Sequence, residues 1–353
     1  MKLALRIAFP LLLTLPLLAQ QPSPKPEQQQ QGVKLPDTVT LDVTVTSRNN
    51  PKPVAGLTEP NFTILDNGAP ADILSFKPVK QPADEPPIQV YLLLDTVNSN
   101  AELVGVMRDR IAEFLKKNSP TLPYPLSFVV LSDKGAQIQK TPSTRTSDLL
   151  ADLNGIQTQL RTIPRSTGFY GAVERVQISL SALGQFAQFQ HDRPGRKLLI
   201  WIGPGWPYLS GPDINLTSRD RIALFNNVVS LSTLLELSRV TLYSVDPIGV
   251  GDAGTFRTFF YESFVKGLVS YKNAEWGNLT LQVLAVHTGG QVLNSGNDIA
   301  GEISQCIDDA SAFYVITIPR ARGEEPNTLY TIQVKIPDIN LKARTIFGYY
   351  AQP

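Results

Sequence analysis

Four segments of this chain, IQVYLLLD, PLSFVVLSD, KLLIWIG and VTLYSVD, are apolar without alternation. A strand with one wet face alternates apolar and polar residues; a strand covered on both faces does not. Between them run stretches of helical period. Leu103, Met107, Ile111 and Phe114 form one stripe, and Val173, Val176, Leu180, Leu183 and Ala187 another. LFNNVVSLSTLLELSR, NLTLQVLAVHTGG and DIAGEISQCIDDASA continue the series, the last with Ile299, Ile303, Cys306 and Ile307 on its apolar side. Strands alternating with helices predict an α/β fold: a doubly wound, mostly parallel sheet with helices on both faces.

The flanks read differently. In TVTLDVTVTS, Val39, Leu41, Val43 and Val45 share one face of a strand. Phe62, Ile64 and Leu65 precede Asn67-Gly68, a tight-turn signal, and Ile73 to Phe76 supply the expected returning strand. The chain closes with AFYVITI, LYTIQVKI and ARTIFGYYA. Residues 37–80 are too few strands to bury a core alone, so a small β unit is expected in which 312–351 pack with them, framing an α/β domain over 86–311. KPVKQPADEPP reads as the linker between the two.

The first 19 residues carry Lys2 and Arg6 before an apolar run that ends at Ala19, the pattern of a cleaved secretory signal peptide. The run is short and holds Pro10 and Pro16, which argues against a stable membrane anchor, and no cysteine stands there to take a lipid. Residues 20–36 are rich in proline and glutamine and read as a linker. Lys2 and Arg6 are two of 32 basic residues set against 31 acidic ones, so the mature chain carries a net charge of −1. That balance gives no electrostatic footprint for nucleic acid. Cys306, the single cysteine, has no partner for an internal disulfide; the chain is expected in the periplasm or outside a bacterial cell, stabilised by core burial.

Asp95 ends the first unalternated run, where ligands of an open parallel sheet sit. The order strand–DTVNS, RSTGFYGAV, GRKLLIWIGPG and RVTLYSVDP resembles a von Willebrand factor A (VWA) domain. With the β unit in front, and with HTGGQVL, IDDASAFYVITIP and ARTIFGYYA behind, residues 37–351 are similar to bacterial secreted VWFA-related proteins, of the kind best known from acidobacteria. The resemblance implies a metal-ion-dependent adhesion site: Asp-x-Ser-x-Ser after the first strand, a Thr in a later loop, and an Asp after the fourth strand. Such hydroxyl and carboxylate oxygens suit Mg²⁺ or Mn²⁺. Asp95, Ser99 and Thr167 match that pattern. Val97 stands where the first serine would, and Gly203 or Pro204 where the distal aspartate would; neither brings a side-chain oxygen. A degenerate site without a constitutive metal is therefore expected, with a partial Mg or Mn site at Asp95, Ser99 and Thr167 as the alternative.

Simpler roles are open to the same residues. Ser99 with Glu102 three positions on has the form of a capping box, and Asp246 can shape the turn into Pro247. Neither His191 nor His287 stands in metal-ligand spacing, and no nucleophile elbow or phosphate loop occurs. Cys306 is expected to be a buried, inert thiol, and Asp308-Asp309 a solvated pair that cannot face one substrate. Catalysis is not expected. Trp201 reads as core; Trp206 and Tyr208, in the loop after KLLIWIG, are candidate ligand contacts, as is the aromatic insertion with Phe256, Phe259, Phe260 and Tyr261. The expected activity is non-catalytic adhesion to a protein or an extracellular polymer at the carboxyl ends of the strands.

Overall fold

The computed structural model describes residues 35–80, 88–156, 169–206, 216–248, 261–294 and 296–353. Within them the protein is a mixed α/β molecule with six α-helices and sixteen strands. Strand β1 (Thr38–Ser47) buries Val39, Leu41, Val43 and Val45 completely, as its alternation predicts. β2 (Asn50–Pro53) folds back along its end.

β3 (Thr63–Asp66) turns through Asn67 and Gly68, at φ 49° and 85°, into β4 (Ala69–Pro70). The expected hairpin is thus made, but its returning strand is two residues long. Instead of continuing along β3, β5 (Ser75–Lys80) pairs antiparallel with β13 (Ala312–Pro319) at the other end of the chain. There Phe76 packs against Tyr314, ring centroids 5.8 Å apart, and against Phe62 at 5.4 Å. Six paired residues with an aromatic cluster outweigh two at a local turn. The linker expected from Lys77 consequently begins as strand; residues 81–87 lie outside the described residues.

The central sheet is built from β6 (Gln89–Asp95), β7 (Thr121–Ser132), β8 (Gly135–Ile138), β9 (Ser143–Arg145), β10 (Lys197–Ile202), β11 (Val240–Val245) and β12 (Val292–Leu293). Its order is β12-β11-β10-β6-β7-β8, with β9 also beside β7. The pairs β6/β7, β6/β10, β10/β11 and β11/β12 are parallel, whereas β8 and β9 run antiparallel to β7.

The helices are α1 (Ala101–Lys117), α2 (Thr146–Gly155), α3 (Phe169–His191), α4 (Ser218–Leu237), α5 (Leu281–His287) and α6 (Ile299–Asp308). Strand side chains Leu92, Leu94, Phe128 and Ile200 share one buried cluster with Met107 and Phe114 of α1, Leu149 of α2 and Cys306 of α6. The alternate side chains, Tyr91, Leu93, Val129 and Trp201, share another with Leu183 of α3, Val228 of α4 and Leu284 of α5. Both sides of these strands are dry, which is why their sequences do not alternate. On α1 the buried stripe runs through Val104 rather than Leu103.

After β13 come β14 (Thr328–Lys335), β15 (Leu341–Arg344) and β16 (Gly348–Ala351). One sheet has the order β15-β1-β13-β5 and another β16-β14-β3-β4. Strands from the two ends of the chain therefore enclose one core, with Leu41, Val43, Ile64, Tyr314, Ile316 and Tyr349 in it. Buried polar groups join this core to the central sheet. Arg196, 2% exposed, donates to Thr44 Oγ1 and Thr241 Oγ1, both at 3.1 Å, and to the Asp309 carbonyl at 3.2 Å. Asp309 is fully buried and holds Arg344 at 2.7 Å and the Tyr243 hydroxyl at 2.8 Å. The reading of Asp308-Asp309 as a solvated pair is thereby corrected for Asp309: α6 ends against β15, and a cation across that seam draws the carboxylate inward.

Candidate functional site

Asp95 stands at the carboxyl end of β6 and is 0% exposed. The chain then turns through residues 96–100 before α1 begins. The N-cap of α1 is Asn100, whose side chain accepts from the Leu103 amide at 2.7 Å. This corrects the expected Ser99–Glu102 capping box. Asn100 has the extended backbone that capping needs, and it sits one residue nearer the helix.

Released from capping, residues 95–99 form a compact turn around the carboxylate. Asp95 Oδ1 accepts from the amides of Val97 at 3.1 Å and Asn98 at 2.9 Å. Oδ2 accepts from Asn98 Nδ2 at 2.8 Å and from the Trp201 indole at 2.9 Å. Each oxygen has about two acceptor positions, so the four donors fill the group. Burial pushes its pKa above the ordinary carboxylate value, and the bonds from Asn98, Trp201 and Val97 pull back against that rise.

Gly203, past the end of β10, meets the other side of Asp95. A Cβ there would lie 2.7 Å from Asp95 Cβ, so glycine is required by contact rather than by conformation. Gly205 does need a left-handed backbone, φ 77°. Trp206 is 5% exposed; its indole donates to the Leu279 carbonyl at 2.7 Å, and its ring meets Trp201 edge-on at 5.2 Å and 72°. Expected as a ligand contact, Trp206 is turned inward because its N–H finds a backbone acceptor there.

The sequence-derived set is brought together only in part. Asp95 and Ser99 share the turn, whereas Thr167 and Tyr208 lie outside the described residues. Ser99 is 5% exposed, and among the described residues its Oγ has no partner; the Asn98 carboxamide oxygen is likewise buried and without a partner among them. Val97 is buried in the apolar cluster around Trp201. Asp246 Oδ1 accepts from the Ile248 amide at 3.1 Å, which is the turn-shaping role expected of it.

A divalent ion is poorly served here. The one carboxylate at the turn has its acceptor positions filled, Val97 offers no oxygen, and Gly203 has no room for a side chain. Among the described residues, no three His, Cys, Asp or Glu side chains stand close enough to hold a metal.

The residue that sequence reasoning missed is Trp201. A tryptophan inside a buried strand still carries an N–H that needs an acceptor, and that requirement was the available signal. Other reactive groups are occupied with packing. His287 stacks on Phe347 at 4.9 Å, and its Nε2 is 2.9 Å from the Val265 carbonyl; burial lowers its pKa. Cys306 is fully buried, which raises its thiol well above the ordinary range. No described helix is long and apolar enough to cross a membrane.

Comparison with known proteins adds little. No family model matches the chain, and no curated protein matches it. Among solved structures, it is similar to the human COPII-coat protein Sec24c at 12% identity and TM-score 0.33, covering 76% of this chain and 44% of that one. Proximal thread matrix protein 1 from the mussel byssus gives 14% identity and TM-score 0.35, over 64% and 48%. A mutant PilB minor pilin from Streptococcus sanguinis gives 12% and 0.30, over 65% and 63%. The chain spans less than two thirds of each of these chains. Likeness at this level defines neither a family nor a ligand.

Proposed function

We propose that this is a secreted, non-catalytic interaction protein, in which a VWA-like, doubly wound domain is framed by a small β unit made from both chain ends. It binds a protein or an extracellular polymer at the carboxyl ends of the parallel strands, through shape and without a constitutive metal. The observation that carries this reading is the saturated carboxylate: all four acceptor positions of Asp95 are used inside the protein. The order β11-β10-β6-β7 supports the location, because the chain reverses direction across the sheet between β6 and β10, where Asp95 and Gly203 meet.

Thermal melts with Mg²⁺, Mn²⁺ or EDTA test the metal-free part. An unchanged midpoint is expected, and a metal-linked rise would refute it. Binding is tested by crosslinking to secreted proteins and polysaccharides with and without chelator; a chelator-sensitive complex would favour the second reading. That reading, a Mg- or Mn-dependent adhesion module, draws on the oxygens of Asn98 and Ser99 in the Asp95 turn, which have no partner among the described residues.

A further inference from the structure

We infer that Trp201, by donating its indole N–H to Asp95 Oδ2, is the residue that keeps a divalent cation off this turn. The inference rests on the metal-free reading for the natural chain and adds the cause.

An N–H donor and a cation compete for the same lone pair, and the outcome depends on which is held in place. Trp201 is 0% exposed and lies in β10, a strand paired on both sides, by β6 and by β11. Its ring is wedged edge-on against Trp206, which is itself fastened to the Leu279 carbonyl. The indole therefore cannot swing aside to admit an ion. The two Oδ1 donors are backbone amides of the turn itself, and Asn98 Nδ2 is shared between Asp95 Oδ2 and the Ser179 hydroxyl at 3.0 Å. Of the four donors, Trp201 alone comes from another strand and serves only this oxygen.

In the same turn as the filled carboxylate, two buried oxygens have no partner among the described residues, Ser99 Oγ and Asn98 Oδ1. Neutral hard oxygens left idle next to a carboxylate are most of what a hydrated Mg²⁺ or Mn²⁺ needs, since such ions retain several waters. What is missing is one free carboxylate lone pair, and the indole N–H occupies it.

The test is a Mn²⁺ titration followed by electron paramagnetic resonance of the free ion. It compares the natural chain, Trp201→Phe, and Trp201→Phe combined with Asp95→Asn, with near-UV circular dichroism to verify folding. The natural chain is expected to show no saturable site. Trp201→Phe is expected to gain one, with a Kd on the order of 1 mM, and the double variant to lose it. If folded Trp201→Phe binds no Mn²⁺, the inference falls while the metal-free reading stands. If the natural chain binds Mn²⁺ saturably, both fall.

Should Trp201→Phe not fold, the natural chain still decides the matter through its ¹⁵N-labelled indoles, assigned by substituting Trp206 and Trp276 in turn. The Trp201 N–H is expected to exchange slowly with deuterium and to stay unbroadened by Mn²⁺. Exchange as fast as that of an open indole, or broadening by the ion, would overturn the assignment.

Discussion

Arg320, just past β13, reaches Glu236 near the end of α4 with Nη2 2.6 Å from Oε1, the side chains 5% and 7% exposed. The contact is a single bond rather than a fork: among the described residues, Arg320 Nη1 and Glu236 Oε2 are both buried without a partner. A buried pair of this kind fixes how the terminal strands sit on α4 more than it stabilises them.

Removing one partner is the costly change. Arg320→Ala leaves the carboxylate buried and alone, and is expected to lower unfolding free energy by about 3–5 kcal/mol in urea melts. A loss below about 1 kcal/mol would mean that solvent reaches Glu236 freely.

The same glutamate makes stability depend on pH. Burial holds its pKa above the ordinary 4.5, the charge and hydrogen bond of Arg320 opposing that rise. A raised folded value means the native state holds the proton more tightly than the unfolded chain. Its contribution is therefore fully present below 4.5 and is lost as pH rises through the folded value. Relative to Glu236→Gln, the natural chain should lose stability over that rise. Parallel urea midpoints for the two proteins at every pH would contradict this.

Gly203→Ala puts a methyl 2.7 Å from Asp95 Cβ, between a paired strand and a filled turn that cannot both yield. A loss of roughly 1–3 kcal/mol is expected from denaturant midpoints, with the Trp201 indole resonance displaced because the carboxylate must move. An unshifted resonance would place the strain elsewhere.

Asp309→Ala strands the Arg344 guanidinium, 15% exposed, and strips Tyr243 of its acceptor. The expected cost is about 3–5 kcal/mol. Adding Arg344→Met should recover part of it, since an apolar side chain does not ask for a partner. Additive losses in the double variant would show that the two groups are not coupled.

Much of the fold is legible in the sequence where the signal is local. The alternation of Val39 to Val45 and the unalternated runs of β6, β10 and β11 report burial on one face or on two, and the structure places them so. What could not be read depends on partners far along the chain. β5 leaves its hairpin for β13, and Asp309 turns inward for Arg344. Both choices are made by residues that adjoin only after folding. At the candidate site, Asp95 was legible as the end of a buried strand, but its donors were not. Asn100 and Ser99 are equally good caps on paper, and only the path of the turn separates them. Trp201 looked like core because its apolar surface is most of it; the single N–H that matters carries no periodicity.

The pairing of β1 with β13 has a further consequence for how the molecule comes into being. Thr38 to Val43 emerge well ahead of Tyr314 to Pro319 during synthesis and wait for them before a ladder closes over them. Throughout that interval an apolar edge stands open, a template for pairing with a neighbouring copy. Nascent chains should thus be most prone to clump just before their last strands arrive, and a holdase that masks the leading segment would relieve it.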